Sequence, residues 1–240
     1  MARNKPQARR SGDLFPDDVR PDYPGIGAAG IEFLRDLKRN NERAWFREHR
    51  ELYEREVRFP LECLVAELSD PAHGLSVRGD PRRAVFRVHR DIRFSRDKSP
   101  YKTHAAAYLT RGGVKGAPGG LYIHVEPGKC FLGAGFFMPD SALLLRWRQR
   151  MVAEPGRFLA LVKGYAAEEA LRFGTHQELK TLPRGFKEQA VAAVAPYLRW
   201  KDFLLSRDVA DAEVATREFV ATAAAFARRS LPLLEFGWEL

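Results

Sequence analysis

Residues 87–101, RVHRDIRFSRDKSPY, combine arginines at every third position with a lysine and a tyrosine, a pattern that suits an anionic ligand. The planar guanidinium of arginine binds a carboxylate or a phosphate through two hydrogen bonds and stays charged. Lysines add point charges, and a tyrosine adds a hydroxyl donor or a stacking surface. We therefore predict a site for a small phosphorylated or carboxylated ligand, formed by Arg87, Arg90, Arg93, Lys98, Tyr101 and Lys102.

The charge distribution supports this prediction but leaves two alternatives open. Residues 80–115 contain ten basic and three acidic residues, a net charge of +7 within a chain whose net charge is +9. Such a field attracts phosphates, nucleic acids or acidic partners. One alternative is a nucleic-acid-binding module in which Phe94, Tyr101 and Tyr108 stack on bases. The other is a structural or interaction protein whose arginines form internal ion pairs with Asp91 and Asp97.

Few residues near 87–101 could take part in acid–base chemistry or bind a metal ion. His89, Asp91 and His124 are the candidate catalytic residues, although the sequence establishes no reaction and indicates no cofactor. His124 and Glu126 share one face of a predicted strand, and His104 could complete a two-histidine, one-carboxylate metal set. A sheet-facing histidine with an ordinary polar partner is the commoner arrangement. We therefore predict no metal site.

Two other motifs lack the sequence context that their chemistry requires, and a third motif is absent. His89-Arg90-Asp91 resembles the start of a kinase catalytic loop, but Arg96 occupies the position of the required asparagine and no DFG follows. GIGAAG at 25–30 has the spacing of a dinucleotide-binding loop, yet the proline-containing VRPDYP precedes it instead of a buried strand. The GxSxG motif of many serine hydrolases is absent from the sequence.

The elements that position these residues follow from periodicity. Apolar residues at helical spacing predict helices over 31–37, 45–57, 61–68, 141–150, 155–165, 186–195 and 212–230. In the 141–150 helix, Leu143, Leu144 and Trp147 should face inward, with Arg146, Arg148 and Arg150 partly outside. Alternation predicts strands over 84–88, 105–111, 120–126 and 129–137. Gly133 and Gly135 indicate a bend or the close approach of a ligand or another backbone.

This order predicts an α+β fold with a mainly antiparallel central sheet flanked by N- and C-terminal helices. Residues 1–24 read as a flexible tail, and residues 25–240 as a single α+β domain. No apolar run approaches the roughly 18–20 residues that cross a bilayer, so we expect no membrane partner and a cytoplasmic location. Cys63 and Cys130 should be reduced, semi-buried thiols. The sequence gives no indication of the oligomeric state.

The run Arg87-x-x-Arg90-Asp91-x-Arg93-Phe94, followed by Asp97-Lys98-x-x-Tyr101, resembles the signature of the bacterial domain-of-unknown-function family numbered 2461. The similarity covers most of residues 26–205 and includes FLRDLKRNNERAWF at 33–46, YIHVEPG at 122–128, GAGFFMPD at 133–140 and LKTLPRGF at 179–186. Arg148 matches an arginine typical of the family, and the resemblance adds it to the candidate ligand-binding residues. The resemblance implies a single domain of about this length and supplies no activity, substrate or cofactor.

Overall fold

The structure of the protein is a computed structural model that describes residues 21–186 and 192–240. A five-stranded antiparallel sheet forms its centre, with the strand order β1-β2-β3-β5-β4. The strands are β1 Ala105–Thr110, β2 Gly120–Val125, β3 Cys130–Phe136, β4 Arg172–Gly174 and β5 Phe203–Val209. The predicted α+β class and the first three of these strands are confirmed.

Helices precede and follow the sheet in the chain. On the N-terminal side they are α1 Ala28–Arg39, α2 Arg43–Glu48, α3 Arg50–Tyr53, a π-helical segment Glu54–Arg58, α4 Phe59–Ser69 and α5 Pro81–Ala84. The remaining α-helices are α6 Ser141–Ala153, α7 Pro155–Ala166, α8 Asp211–Val214 and α9 Phe219–Trp238. Asp140 caps α6 by accepting a hydrogen bond from the Leu143 amide at 2.8 Å. Within the described ranges, no helix is long and apolar enough to cross a membrane.

The sheet has one buried face and one half-exposed face, as its alternating side chains require. Its inward side chains are fully buried where α4 packs on β1 and α9 packs on β3: Leu109, Leu121, Ile123, Leu132 and Leu205. The opposite face, called the open face below, has half-buried side chains at Tyr108, Tyr122, His124 and Phe131. Polar and aromatic groups on the open face are therefore available to a ligand.

Gly135 marks a close approach of two strands, one of the two outcomes that the glycine pattern predicted. Its φ is +131°, and a Cβ at this position would overlap the carbonyl oxygen of Phe203 in β5. Only glycine meets both requirements, because any side chain would be both strained and in collision with backbone.

The prediction of a continuous strand over 84–88 is wrong. Asp80 accepts a hydrogen bond from the Arg83 amide at 2.9 Å, and Pro81 begins the short helix α5, which ends at Ala84. After this helix the chain forms only isolated bridges, at Val85 and His89. A capped turn at an Asp-Pro pair thus overrides the alternation that the apolar residues suggested.

Other differences concern the parts of the chain with weaker patterns. Neither β4 nor β5 was predicted, and the predicted 212–230 helix is divided into α8 and α9. Of the predicted 186–195 helix, residues 187–191 lie outside the described residues and 192–196 form turns. Residues 1–20 of the predicted tail also lie outside them. Tyr23 is buried, and its hydroxyl donates to the carbonyl oxygen of Val214 at 2.6 Å, so the packed chain begins before residue 25.

Both cysteines should resist alkylation in the native protein. Cys63 and Cys130 are both buried, and burial beside the Asp211 carboxylate raises the pKa of Cys130 to about 12. Because the thiolate is the nucleophile, we expect Cys130 to react with iodoacetamide at pH 8 about a thousandfold more slowly than an unperturbed thiol. Mass spectrometry after timed labelling measures this, with urea-unfolded protein as the control. Rapid labelling of the native protein would contradict the burial of these residues.

Candidate functional site

The loop at 90–100 is held by contacts among its own residues. Two of its arginines form ion pairs with aspartates of the same loop, Arg90 with Asp97 and Arg93 with Asp91. The Lys98 ammonium donates to the carbonyl oxygen of Ile92 at 3.0 Å. The Ser99 hydroxyl and the Arg90 guanidinium hold the pKa of Asp97 well below its usual range, so Asp97 is ionised at neutral pH. Three of the predicted ligand-binding cations therefore already have partners.

Tyr101 fastens this loop to the N-terminal helices. Its ring is buried and stacks on Phe46, with 4.2 Å between the ring centroids. Its backbone exchanges two hydrogen bonds with the Asn41 side chain, each 3.0 Å long. A buried ring with two backbone anchors fixes the end of the loop in place.

Three basic residues gather around Phe86 instead, and they are called the basic cluster below: Arg87, Lys102 and Lys115. The Lys102 and Lys115 ammonium nitrogens lie 5.2 and 5.5 Å from the centroid of the Phe86 ring. Burial lowers the pKa of Lys102, and the charges of Arg87 and Lys115 lower it further. Within residues 21–186 and 192–240, no carboxylate forms an ion pair with any of the three. Among those residues, Lys102 and Lys115 therefore have no carboxylate partner. The charge of Arg87 acts on Asp91 without forming an ion pair, and it helps to lower the pKa of that carboxyl.

The backbone explains how Arg87 and Lys102 come together. The Phe86 amide donates to the Ala106 carbonyl oxygen at 2.9 Å, and the Lys102 amide donates to the Val88 carbonyl oxygen at 2.8 Å. These bonds lay the segment after α5 alongside the segment that leads into β1. The two ends of residues 87–101, called the arginine stretch below, consequently meet at the edge of the sheet.

A second group of polar residues lies on the open face and is called the His–Glu cluster: His104, His124 and Glu126. Ala105 pairs with Val125 and Ala106 with His124, so the antiparallel register places His104 opposite Glu126. One ligand atom from each residue lies within 4.8 Å of the others. The His124 Nε2 atom is 3.4 Å from Glu126 Oε2.

The environment of this cluster favours neutral imidazoles. Burial, together with the nearby His124 and Lys102, lowers the pKa of His104 to about 4. Burial also lowers the pKa of His124, outweighing the opposite effect of Glu126. The Tyr122 hydroxyl lies 3.1 Å from His124 Nδ1, which orients that ring. At neutral pH each imidazole is therefore uncharged and carries one nitrogen lone pair.

The other acid–base candidates lie apart from this cluster. The His89 ring is 5.2 Å from the Tyr101 ring, and burial and the charge of Arg87 lower its pKa. The Asp91 carboxylate is occupied by Arg93, with 2.7 Å between Oδ2 and Nη2. In the part of the chain that the structure describes, no hydrogen bond, ion pair or ring contact joins His124 to His89 or Asp91.

Arg148 lies in a different environment from the predicted one. It is buried, and it donates through Nε to the Leu198 carbonyl oxygen at 2.9 Å and through Nη2 to that of Trp200 at 3.3 Å. The prediction that this side chain is partly outside is therefore wrong. Its two contacts tie α6 to the segment before β5, because they satisfy carbonyl groups that lack strand partners.

Two clefts adjoin Glu126. The larger has a volume of about 440 Å³ and is lined by His124, Lys129, Cys130, Phe131 and Asp208, among others. The smaller has a volume of about 190 Å³ and is lined by Leu34, Arg35, Lys38, Arg39, Thr103 and Pro127. A group bound at the Glu126 carboxylate would therefore be reachable from solvent on two sides.

A family model described as a conserved hypothetical protein (DUF2461) matches residues 29–236. The chain belongs to the DUF2461 family. The resemblance of the arginine stretch to that family is confirmed, and the match includes the whole sheet and both clusters. No match was found among curated proteins or among solved structures.

In this DUF2461 protein, the sequence analysis missed one member of the basic cluster and left the arrangement of the His–Glu cluster open. Lys115 lies in the connection between β1 and β2, which folds back so that the Tyr108 hydroxyl donates to the Ala117 carbonyl oxygen at 3.5 Å. Its sequence signal was only a lysine in a glycine-rich loop between two adjacent strands. The exact pairing of His104 with Glu126 depended on a register that the sequence left open.

Proposed function

We propose that the protein binds a small phosphorylated or carboxylated ligand at the basic cluster. The observation that supports this proposal is that Arg87, Lys102 and Lys115 lie together and form no ion pair within the described part of the chain. Both lysines also lie against one aromatic ring. Placing the exposed Arg87 and Lys115 beside the half-buried Lys102 is unfavourable because the charges are alike, and an anion would remove that cost. The Phe86 ring would add an apolar surface for the body of the ligand.

This proposal divides the predicted ligand-binding residues by role. Arg87 and Lys102 contact the ligand directly, together with Lys115. Arg90, Arg93, Lys98 and Tyr101 hold the intervening loop through the contacts described above, and Arg148 supports α6. No reaction is proposed, because the basic cluster supplies binding groups and no paired acid and base.

The test is isothermal titration with pyrophosphate and with citrate at fixed ionic strength. Hydrogen bonds to charged groups contribute about 1.5–3 kcal/mol each, so replacing both lysines, Lys102→Met with Lys115→Met, should weaken binding about a hundredfold or more. Lys163→Met removes an exposed lysine of α7 and should leave the affinity unchanged. Equal affinity in wild type and double variant would reject the basic cluster as the site.

A second candidate function, nucleic-acid binding, rests on Phe94. This side chain is 96% exposed, and the Arg93 guanidinium lies 5.9 Å from the centroid of its ring. An exposed aromatic ring among cations is suited to stacking on an unpaired base. Titration with a short single-stranded oligonucleotide at several salt concentrations should then show affinity that falls steeply with salt. Phe94→Ala should lower that affinity.

The titrations with small anions and with the oligonucleotide also test the structural alternative, in which the arginines form internal ion pairs and bind no ligand. If neither small anions nor the oligonucleotide bind, while Arg90→Ala lowers the melting temperature, the arginine stretch serves to fix the loop. The ion pair between Arg90 and Asp97 is the observation that favours that outcome.

A further inference from the structure

The His–Glu cluster has the donor set of a transition-metal site. Two imidazole nitrogens and one carboxylate oxygen suit zinc, and in other coordination geometries iron(II). The three residues come from β2 and from the segments directly before β1 and after β2, so the sheet register fixes their spacing. Backbone that is held by neighbouring strands positions ligands better than a free loop does.

The distances agree with coordination by zinc. Ligand atoms that lie about 2.0–2.1 Å from a tetrahedral zinc ion are about 3.4 Å from each other. The separation of His124 Nε2 and Glu126 Oε2 is 3.4 Å. The widest separation in the cluster is at most 4.8 Å, and rotation of a half-buried side chain such as that of His104 can close the difference.

The hydrogen bond at the second ring nitrogen of His124 is one that metal-binding histidines commonly have. Such a histidine usually forms a hydrogen bond through its second ring nitrogen, which fixes the orientation of the ring. His124 meets this requirement through the Tyr122 hydroxyl at Nδ1, and its Nε2 faces Glu126. The rings of His104 and His124 lie 4.4 Å apart, and within the described ranges the His104 ring has no hydrogen-bond partner.

We propose that His104, His124 and Glu126 bind one zinc ion, with Tyr122 as a positioning residue. Three protein ligands leave a fourth coordination position, as in zinc sites that act on a substrate. The clefts on either side of Glu126 give that position access to solvent, and the smaller one brings Arg35, Lys38 and Arg39 close to it. A zinc-bound water or an anionic group fits this position. The proposal does not depend on the basic cluster.

The first test is titration of the chelator-treated, untagged protein with zinc chloride. We expect one ion per chain, and a loss of affinity of at least a hundredfold in His104→Ala and in Glu126→Gln. Magnesium should not compete, because it prefers all-oxygen ligands. His176→Ala removes an exposed histidine and serves as the matched control with unchanged affinity. Zinc binding of equal strength in wild type and His104→Ala, or no binding to the wild type, would overturn the proposal.

A second measurement keeps the test decisive if a ligand variant folds poorly. Cobalt(II) should give the intense visible bands of a tetrahedral site in the wild type, and Tyr122→Phe, which retains the ring, should weaken zinc binding about 10–100-fold. Circular dichroism confirms that the variants are folded. Weak cobalt bands typical of an octahedral aqua ion, or unchanged zinc affinity in Tyr122→Phe together with unchanged affinity in Glu126→Gln, would place the metal elsewhere.

Discussion

Replacing Trp147 by alanine should lower the free energy of unfolding by about 3–5 kcal/mol, the usual cost of deleting a large buried aromatic side chain. Trp147 is fully buried and joins α6 to the sheet and to α9. It stacks on Phe203 with 4.0 Å between ring centroids and meets Phe136 at 5.3 Å and Phe236 at 5.1 Å. The cavity would lie among rigid rings, which cannot collapse into it. Urea unfolding followed by circular dichroism measures the change.

Two further variants separate packing from other causes. In the part of the chain that the structure describes, the Trp147 indole nitrogen has no hydrogen-bond partner, so Trp147→Phe removes no hydrogen bond and should cost only about 1–2 kcal/mol. Leu145→Ala, at an exposed position of the same helix, should change stability by less than about 0.5 kcal/mol. A loss of similar size in Trp147→Ala and Leu145→Ala would show that the ring cluster does not stabilise the fold.

Gly135→Ala should destabilise the protein by about 3 kcal/mol or more, because it combines an unfavourable φ with a collision. The φ of +131° is strained for any residue with a Cβ, and the added methyl group would overlap the Phe203 carbonyl oxygen. Relief would require β3 and β5 to separate at the centre of the sheet. The melting temperature and the urea midpoint both report this loss.

Gly133 provides the matched control in the same strand. Its φ is not positive, and a Cβ there would come no closer than 3.5 Å to another atom, which is ordinary contact. Gly133→Ala should therefore be tolerated to within about 1 kcal/mol. If Gly135→Ala proved as mild as Gly133→Ala, the close approach of β3 and β5 at this point would be wrong.

The two proposed sites are neighbours on the molecule and can still be tested separately. Tyr122 contacts Phe86 of the basic cluster edge to face, with 6.2 Å between ring centroids, and its hydroxyl meets His124 of the His–Glu cluster. Lys102 also lowers the pKa of His104 by its charge. An anion bound at the basic cluster would thus lie near a metal ion at the His–Glu cluster. Lysine variants test the first site and Glu126→Gln tests the second.

The sequence by itself determined the elements whose signals are local. The alternation in residues 105–137 predicted three strands, and apolar residues at helical spacing in 141–150 predicted α6, because a pleated strand and a helix each impose their own period. Gly133 and Gly135 predicted a bend or a close approach, and Gly135 makes a close approach to β5. The strand β4 has only three residues, too few to show a period, and β5 does not alternate strictly along its sequence FLLSRDV.

Which charges are paired and which residues meet was decided only by the tertiary structure. The sequence placed Arg90, Arg93 and Arg87 in one pattern, yet folding gives the first two aspartate partners and leaves Arg87 beside Lys102 and Lys115. The His–Glu cluster likewise depends on the β1–β2 register, since a shift of one residue would turn the side chains of one strand to the other face. Local sequence patterns determine the period of each helix or strand and the position of the turns. Whether two distant side chains meet depends on how the backbone segments that carry them pair in the folded chain.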